Sequence, residues 1–179
     1  MHQLVAPDPQ GYKRWAECLR EFDGGSIDGS GFNNPAEVAD LSAASFARYL
    51  SSRTALADTS IPAPAGFVHC TFYWIVDESA ELLGFVALRH ELNQFLFERG
   101  GHIGYSVRPR ARNKGVAGAA LNLALLEAQS RGIERTLVCA KETNLASRRV
   151  IERAGGVYES SMHGVRRYWF DTAAAHIDS

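Results

Sequence analysis

Hydrophobic residues near the start of the chain recur at helical spacing. Trp15 and Leu19 lie on one side of a helix predicted for residues 12–22, and a second helix is predicted for residues 35–57, where a proline suits the first turn. Residues 23–35 between them are rich in Gly, Asp, Ser and Asn, which form turns rather than core. We therefore expect two helices joined by a loop that is long enough to move.

The pattern changes to strands after the breaker IPAPAG at residues 61–66. Aromatic and β-branched residues predict two antiparallel strands within residues 67–77 and 77–92. Residues 100–109 predict another strand that ends at a proline, and residues 115–132 are strongly helical up to a final Arg-Gly. This strand followed by a long helix is the clearest signal in the chain.

The same strand and helix pattern occurs once more toward the C-terminus. Residues 136–142 predict a short strand, and Asn144 begins a helix that two glycines end after residue 154. Residues 156–173 predict a hairpin that turns at His163 and Gly164, followed by a frayed tail. Together these elements predict an α/β fold with helices flanking a central sheet.

Composition narrows the domain count, the partners and the location. The 179 residues are 46% hydrophobic, which suits one sizeable core, so we expect a single domain that spans the chain. A net charge of -1 gives no field that attracts nucleic acid. Three separated cysteines suit reduced thiols, and we find neither a signal peptide nor a membrane-spanning run. We expect a cytoplasmic protein with no nucleic-acid and no membrane partner.

The segment RNKGVA, residues 112–117, lies where a strand passes into the long helix. A helix N-terminus leaves backbone N–H groups without partners and carries partial positive charge, so it can bind a phosphate group, and Gly115 permits close approach. Each dipole interaction is worth only about 0.3–1 kcal/mol, so several N–H groups must act together, helped by Arg112 or Lys114. A pyrophosphate site and an ordinary helix cap both fit this segment when it is taken alone.

Four other functional motifs find no match in the sequence. There is no GxxxxGK(S/T) loop and no GxGxxG opening a βαβ unit, so ATP hydrolysis and dinucleotide chemistry lose support. HELNQ, from His90 to Gln94, begins like the zinc motif HExxH but lacks the second histidine, so we expect no metal. Ser30 lies in DGSGF rather than in a GxSxG nucleophile elbow.

In combination, these segments resemble the GCN5-related N-acetyltransferase (GNAT) family over residues 72–170. RNKGVA matches the family signature of Arg or Gln, two free positions, Gly, one free position, then Gly or Ala. The order of strand, signature, long helix, strand and Asn144 with its helix also matches, and LRHEL, GGHIGYSVRP and RRYWF resemble a bacterial subgroup of predicted acetyltransferases. The resemblance implies a mixed, mostly antiparallel sheet splayed in the middle, and acetyl transfer from acetyl-CoA to a primary amine.

The resemblance assigns acetyl-CoA to the cleft where the strand before the signature splays from the next strand. Ser106 and Val107 should offer backbone groups to the pantetheine arm. Asn144, with Ser147 beside it, matches a position near the pantetheine, while a helix N-cap that bonds toward Ser147 explains Asn144 equally well. The pyrophosphate should be bound by the N–H groups of the signature: Arg112, Asn113, Lys114, Gly115, Val116 and Ala117.

Acetyl transfer to an amine requires a base, because an amine with a pKa near ~10.4 is mostly protonated at neutral pH. Many relatives place a carboxylate at the start of the strand before the signature, and His102 holds that position here. His102 is therefore the first candidate for the base, and Glu98 is the second. A strand histidine bonded to a neighbour is the alternative for His102. The usual general acid of the family, a tyrosine, is matched by Ile151, which leaves Tyr105, a water or no dedicated acid.

The acceptor is not identified by the sequence. By the resemblance, Arg89, His90 and Asn93 line the acceptor pocket, although surface ion pairing explains them nearly as well. Asp23 and Asp28 in the loop could draw a cationic amine over the cleft. We expect a small-molecule or peptide amine as substrate. A homodimer, a catalytically silent acyl-CoA-binding module and an interaction protein without a cofactor stay open.

Overall fold

One sheet of seven strands runs through the residues that the structure describes. The computed structural model describes residues 1–32 and 38–173. The strands are β1 His2–Val5, β2 Cys70–Asp77, β3 Leu82–Arg89, β4 Ile103–Val107, β5 Arg135–Lys141, β6 Val157–Met162 and β7 Val165–Asp171. Their order is β1-β2-β3-β4-β5-β7-β6, and each neighbouring pair is antiparallel except β4–β5. The fold is thus the mixed, mostly antiparallel α/β fold that was expected.

Helices cover both faces of the sheet. They are α1 Tyr12–Arg20, α2 Ala43–Ala57, α3 Val116–Ser130 and α4 Leu145–Arg153, with a π-helical turn at Leu96–Gly100 and a 3-10 turn at Pro109–Ala111. In the described part of the chain, every helix is too short or too polar to span a membrane. Because β4 and β5 are parallel, α3 and α4 both begin at the same end of the sheet.

The two faces of the sheet carry separate apolar cores. On one face, Trp15 of α1 and Phe46 of α2 pack with Trp74 of β2, and all three are almost fully buried. On the other face, Leu121 of α3 and Ile151 of α4 are fully buried against the central strands. Each such side chain contributes about 1.5–3 kcal/mol when it is removed from water, so the sheet is fixed from both sides.

A buried arginine fixes the end of β4. Arg108 is 2% exposed, and its guanidinium contacts the carboxylate of Glu21, which follows α1, and that of Glu81, at 3.1 Å. Its Nη1 also donates to the carbonyl of Leu82 at 2.8 Å. Removing one partner of such a buried pair leaves an unpaired charge in the interior, which is strongly destabilising. These contacts therefore hold the start of the signature segment in place.

The predicted element order is confirmed, with differences at the boundaries. The four-residue strand β1 and the π-helical turn were not predicted, and α1 ends at Arg20 rather than at residue 22. Ser42 caps α2 by accepting from the N–H of Ser45 at 3.1 Å, so this helix begins at Ala43. The predicted start at residue 35 and the predicted tail beyond residue 173 lie outside the described residues. His163 and Gly164, with φ of 53° and 75°, form the predicted hairpin turn.

Candidate active site

The parallel strands β4 and β5 diverge directly after they meet. They pair at Ile103 and Val138, and this is the one parallel pair between them in the described chain. β4 continues to Val107 while it pairs with β3 on its other side. The two strands therefore enclose a gap that opens toward their carboxyl ends, where α3 and α4 begin.

The backbone of β4 presents hydrogen-bonding groups to this gap. Arg108 N–H donates to Leu83 O at 2.8 Å, so the alternation along the strand turns the backbone of Ser106 toward β3 as well. The backbone groups of Tyr105 and the N–H of Val107 then face the gap, as an edge with which an extended ligand can pair, while Val107 O already accepts a hydrogen bond from Arg112 Nε. This register favours Tyr105 and Val107 over the predicted backbone of Ser106. Ser106 offers instead a buried Oγ that has no hydrogen-bond partner in the described chain.

The signature segment forms the turn into α3. Asn113 and Gly115 have positive φ values of 60° and 78°, and Gly115 directly precedes the first helical turn. The N–H groups of Val116, Ala117 and Gly118 lie in the first turn and have no intrahelical acceptor. No side chain of the described residues caps this end in their place. A Cβ added at Gly115 or at Gly118 would meet no neighbouring heavy atom within 4 Å. This open helix N-terminus suits an anion.

The two basic side chains of the signature differ in their contacts. Arg112 donates from Nε to Val107 O at 3.0 Å, and its guanidinium carbon lies 5.9 Å from the centroid of the Phe22 ring. Lys114 is exposed and takes part in none of the ion pairs observed among the described residues. Arg112 therefore holds the turn against β4, whereas Lys114 is available to a bound anion.

Asn144 caps α4 at the other side of the gap. Its Oδ1 accepts from the N–H of Ser147 at 3.1 Å, which confirms the N-cap interpretation. This bond uses the amide oxygen and leaves the amide nitrogen for another partner. Ile151, at the usual tyrosine position, is fully buried in the core and so brings no polar group to the gap.

Tyr105 spans the gap from β4 to α4. Its hydroxyl lies 3.5 Å from the carbonyl oxygen of Ser147, which is a long contact. Burial raises the pKa of Tyr105 above its usual value, with a smaller contribution from the charge of Asp28. The hydroxyl therefore stays protonated at neutral pH and can donate to a group that lies in the gap.

His102 joins the two strands at the closed end of the gap. Its backbone N–H donates to Leu137 O at 2.7 Å, and its ring Nδ1 accepts from Leu137 N–H at 3.0 Å. Burial, together with the nearby charge of Arg89, lowers the pKa of His102 from 6.5 to about 4. The ring is neutral at pH 7 with its proton on Nε2. These contacts favour the hydrogen-bonded strand histidine over the catalytic base, and the base role stays a prediction.

Glu98, the second predicted base, lies in the π-helical turn before β4. Its Oε1 accepts from Gln94 Nε2 at 3.0 Å, and its Oε2 lies 3.6 Å from His163 Nε2. The carboxylate thus contacts the turn between β6 and β7. Its role as a base also stays a prediction.

A cavity of about 360 Å³ lies on the sheet face covered by α2. Of the three residues predicted for the acceptor pocket, Arg89 and Asn93 line it. His90 is not among its lining residues, because its Nε2 lies 2.8 Å from Thr71 Oγ1 and its ring stacks against His69. The structure therefore brings two of the three predicted residues to one cavity.

Arg89 connects this cavity to the gap. Its Nη1 donates to the carbonyl oxygens of Gly100 and Gly101, both at 3.2 Å. Its Nη1 and Nη2 lie 3.4 and 3.5 Å from the position that a Cβ on Gly104 would occupy. Since Gly104 directly follows Ile103, where β4 and β5 separate, the cavity lies next to the start of the gap.

The loop after α1 packs onto β4 at the same place. A Cβ on Gly29 would lie 2.8 Å from the carbonyl carbon of Gly104 and 2.9 Å from Cα of Tyr105. Only glycine permits this close approach of two backbones. Asp23 and Asp28 are exposed, whereas Ile27 and Ser30 are buried. The predicted loop is thus anchored to β4 around Gly29, within its described residues.

Two features of the site were missed by the sequence interpretation. Arg53 of α2 also lines the cavity, where its Nε donates to Ser30 O at 3.1 Å and its guanidinium lies 4.7 Å from the Tyr49 ring centroid. A helical arginine carries no signal for such a role. The contact of Gly29 with Gly104 did leave a signal at Gly104, because a glycine inside a strand often marks a close backbone approach.

Solved structures of acetyltransferases have the same fold. A ribosomal-protein L7/L12 α-N-acetyltransferase (RimL) in complex with coenzyme A gives a TM-score of 0.70 at 15% identity, covering 95% of this chain and 93% of that chain. A ribosomal-protein-S5-alanine acetyltransferase from Vibrio fischeri gives 0.71 at 14% identity, covering 97% and 94%. A spermidine/spermine N-acetyltransferase (SpeG) from Vibrio cholerae gives 0.62 at 17% identity, covering 94% and 92%. At these identities the likeness shows the fold alone.

The sequence itself was compared with curated proteins and with family models. None of the curated proteins matches the chain significantly. The model of the acetyltransferase (GNAT) family matches residues 39–156, which is more than half of the chain. The matched region includes β4, the signature turn, α3, β5 and α4, the elements that surround the gap. The chain belongs to the acetyltransferase (GNAT) family.

Proposed function

We propose that this protein is an acetyl-CoA-dependent N-acetyltransferase that acetylates a primary amine. The observation that carries the proposal is the gap between β4 and β5, which opens beside the N-terminus of α3, an end that no described side chain caps. An unpaired strand edge binds an extended arm, and a helix N-terminus binds phosphate. The two features therefore fit the two parts of coenzyme A. The whole chain would act as a single catalytic domain.

The residues around the gap fit acetyl-CoA in three respects. The strand edge at Tyr105 and Val107 suits the pantetheine arm, and the buried Oγ of Ser106 lacks a partner in the described chain. The open turn at Gly115 leaves space for the pyrophosphate, with the charge of Lys114 nearby. The further groups that would bind the co-substrate are Arg112, Asn113, Val116, Ala117, Asn144 and Ser147.

When bound, acetyl-CoA supplies the acetyl group: the amine nitrogen bonds to the acetyl carbon, the C–S bond breaks, the amine loses a proton and the sulfur gains one. We assign the proton on sulfur to Tyr105. Its hydroxyl lies across the gap near Ser147, and burial raises its pKa, so it holds a proton to donate. General acid catalysis needs such a group within hydrogen-bond reach of the leaving atom.

The proton on the amine passes to water in this proposal. His102 is neutral, and its Nδ1 is occupied by the N–H of Leu137, so it would position β4 against β5 rather than accept a proton. The α-amino group of a peptide, with a pKa of about 7.7–8.0, would need little assistance near neutral pH, whereas a more basic amine depends on water as the proton acceptor. Glu98 is the alternative acceptor of this proton.

The acceptor amine would occupy the cavity lined by Arg89 and Asn93. The names of similar proteins include ribosomal-protein α-N-acetylation and spermidine acetylation, which supports an amine as the acceptor without selecting one. We also propose a cytoplasmic site of action. The free thiols Cys18, Cys70 and Cys139 support it, because thiols persist in a reducing compartment.

An acceptor screen tests this function. The protein is incubated with acetyl-CoA and a panel of amines, and the released CoA thiol is measured together with the mass of each amine. We expect thiol release that depends on the amine and a matching acetylated product. Binding of CoA without transfer to any amine would favour the silent acyl-CoA-binding module, and failure to bind CoA would contradict both functions.

A further inference from the structure

The cavity beside Gly104 carries positive charge and no negative charge. Arg89 and Arg53 line it, and no acidic side chain of the described residues does so. Arg89 is only partly buried, donates to two backbone carbonyls, and is absent from the ion pairs observed in the described chain. A planar guanidinium in this state favours a carboxylate, which it can bind through two parallel hydrogen bonds.

The rest of the cavity wall is largely apolar. Leu56 and Phe72 line it, together with Phe67 and Phe95, which are 52% and 63% exposed. A volume of about 360 Å³ lies at the lower end of the range of ~300–1,000 Å³ for small-molecule pockets. The cavity therefore matches a compact ligand with an apolar group and an anionic group.

We propose that the acceptor is a small amine that also carries a carboxylate and an apolar group, the chemistry of an apolar α-amino acid. The carboxylate pairs with Arg89, the apolar group contacts the phenylalanines, and the amine points toward Gly104, next to which the gap begins. The fate of the amine rests on the proposed function, whereas binding of the carboxylate by Arg89 does not.

Two other acceptor classes fit the cavity less well. A polyamine carries several positive charges, and like charges beside Arg89 repel it. A protein N-terminus has the required amine but lacks a carboxylate close to it. An α-amino acid has both groups on one carbon, so its carboxylate can reach Arg89 while its amine lies near Gly104.

Calorimetry with two matched probes tests the carboxylate directly. N-acetyl-L-phenylalanine and N-acetyl-L-phenylalaninamide differ only in the carboxylate, and both resemble a reaction product. We expect the carboxylate to bind ~10- to 100-fold more tightly, as for a charge-assisted hydrogen bond. Arg89→Met should abolish this preference. Arg99→Met is the matched control, because it removes the same charge from an exposed residue outside the cavity and should keep the preference.

The wild-type comparison decides the inference even where a variant fails to fold. Equal affinity for the two probes, tighter binding of the amide, or no binding of either probe contradicts it. Kinetics with acetyl-CoA give a second readout, in which kcat/KM for L-phenylalanine should exceed that for L-phenylalaninamide and for spermidine, and a reversed order overturns the inference. Loss of turnover with every amine would overturn the proposed function, while the probe affinities would still test Arg89.

Discussion

The ring Nδ1 of His102 accepts a hydrogen bond from the backbone N–H of Leu137 at 3.0 Å. The bond joins β4 to β5 at the point where the two strands separate. It requires Nδ1 to be unprotonated, so a second proton on the ring abolishes it. The protonation state of His102 is therefore coupled to the junction from which the gap opens.

We expect this coupling to lower stability at acidic pH. The pKa of His102 falls from 6.5 to about 4 on folding, so the unfolded chain binds more protons between these values. The contribution of neutral His102 to the free energy of unfolding is complete above pH 6.5. It is lost as the pH falls toward 4, by about 3 kcal/mol in total. His102→Asn keeps an acceptor, Oδ1, but does not titrate. Urea unfolding from pH 7 to about pH 4 should show a flatter dependence for the variant, and equal slopes would contradict this origin.

The same variant separates a positioning role from a base. General-base assistance contributes ~100- to 10,000-fold, so loss of a base would lower kcat by at least the smaller figure. We expect His102→Asn to retain kcat within about tenfold, since Oδ1 can still bind Leu137 N–H. Glu98→Gln is the comparison. If the kcat of His102→Asn falls by the full contribution of a general base and its kcat/KM loses a pH inflection, His102 is the base. If only the kcat of Glu98→Gln falls, the base is Glu98.

Tyr105→Phe should slow the chemical step without weakening the binding of CoA. The variant removes the hydroxyl that lies near Ser147 but keeps the ring that packs in the core. We expect kcat to fall by ~100-fold, at the low end for general acids, because a thiolate leaves readily. Tyr73→Phe is the control, since its hydroxyl bonds to Glu127 in α3 rather than facing the gap. Equal kcat values for both variants would leave Tyr105 without a catalytic role.

Gly29→Ala should disturb the acceptor side of the site. The new Cβ would collide with the backbone of Gly104, whereas Gly24→Ala meets no neighbouring atom within 4 Å. Both glycines have positive φ, so each variant also loses about 1–2 kcal/mol through backbone strain. We expect Gly29→Ala to unfold more easily than Gly24→Ala and to raise the acceptor KM. Identical unfolding free energies for the two variants would show that the loop does not pack here as described.

The sequence predicted those parts of the site that depend on neighbouring residues. Asn144 was expected to cap a helix, and the signature was expected to turn into one, because capping and turn chemistry act within a few residues. The strand β1 was missed, since four residues carry too little pattern and are ordered by pairing with β2.

The cavity could not be predicted in the same way. It brings Arg53 of α2 together with Arg89 at the end of β3, and that meeting depends on how the helix packs on the sheet. The backbone role of Ser106 is a similar case. Its direction follows from the register with β3, in which Phe85 pairs with Ser106, and one residue of shift reverses it.

The proposed function depends most on phosphate binding by the N-terminus of α3. Gly118 lies in the first turn of α3, and a side chain added there points into open space. Gly118→Asp should leave the fold intact or stabilise it by about 0.5–1 kcal/mol, because glycine is a poor helix residue and an acidic group suits a helix N-terminus. The same charge would repel a phosphate. Asn122→Asp places it one turn later on the exposed side of the helix.

The most direct measurement is a calorimetric titration of acetyl-CoA into the wild type and these two variants, with urea unfolding of each as the check on folding. We expect the wild type and Asn122→Asp to bind with similar affinity, and Gly118→Asp to lose at least ~100-fold, since several charged hydrogen bonds of about 1.5–3 kcal/mol are affected. Unchanged affinity in a folded Gly118→Asp would contradict the assignment of the co-substrate to this helix.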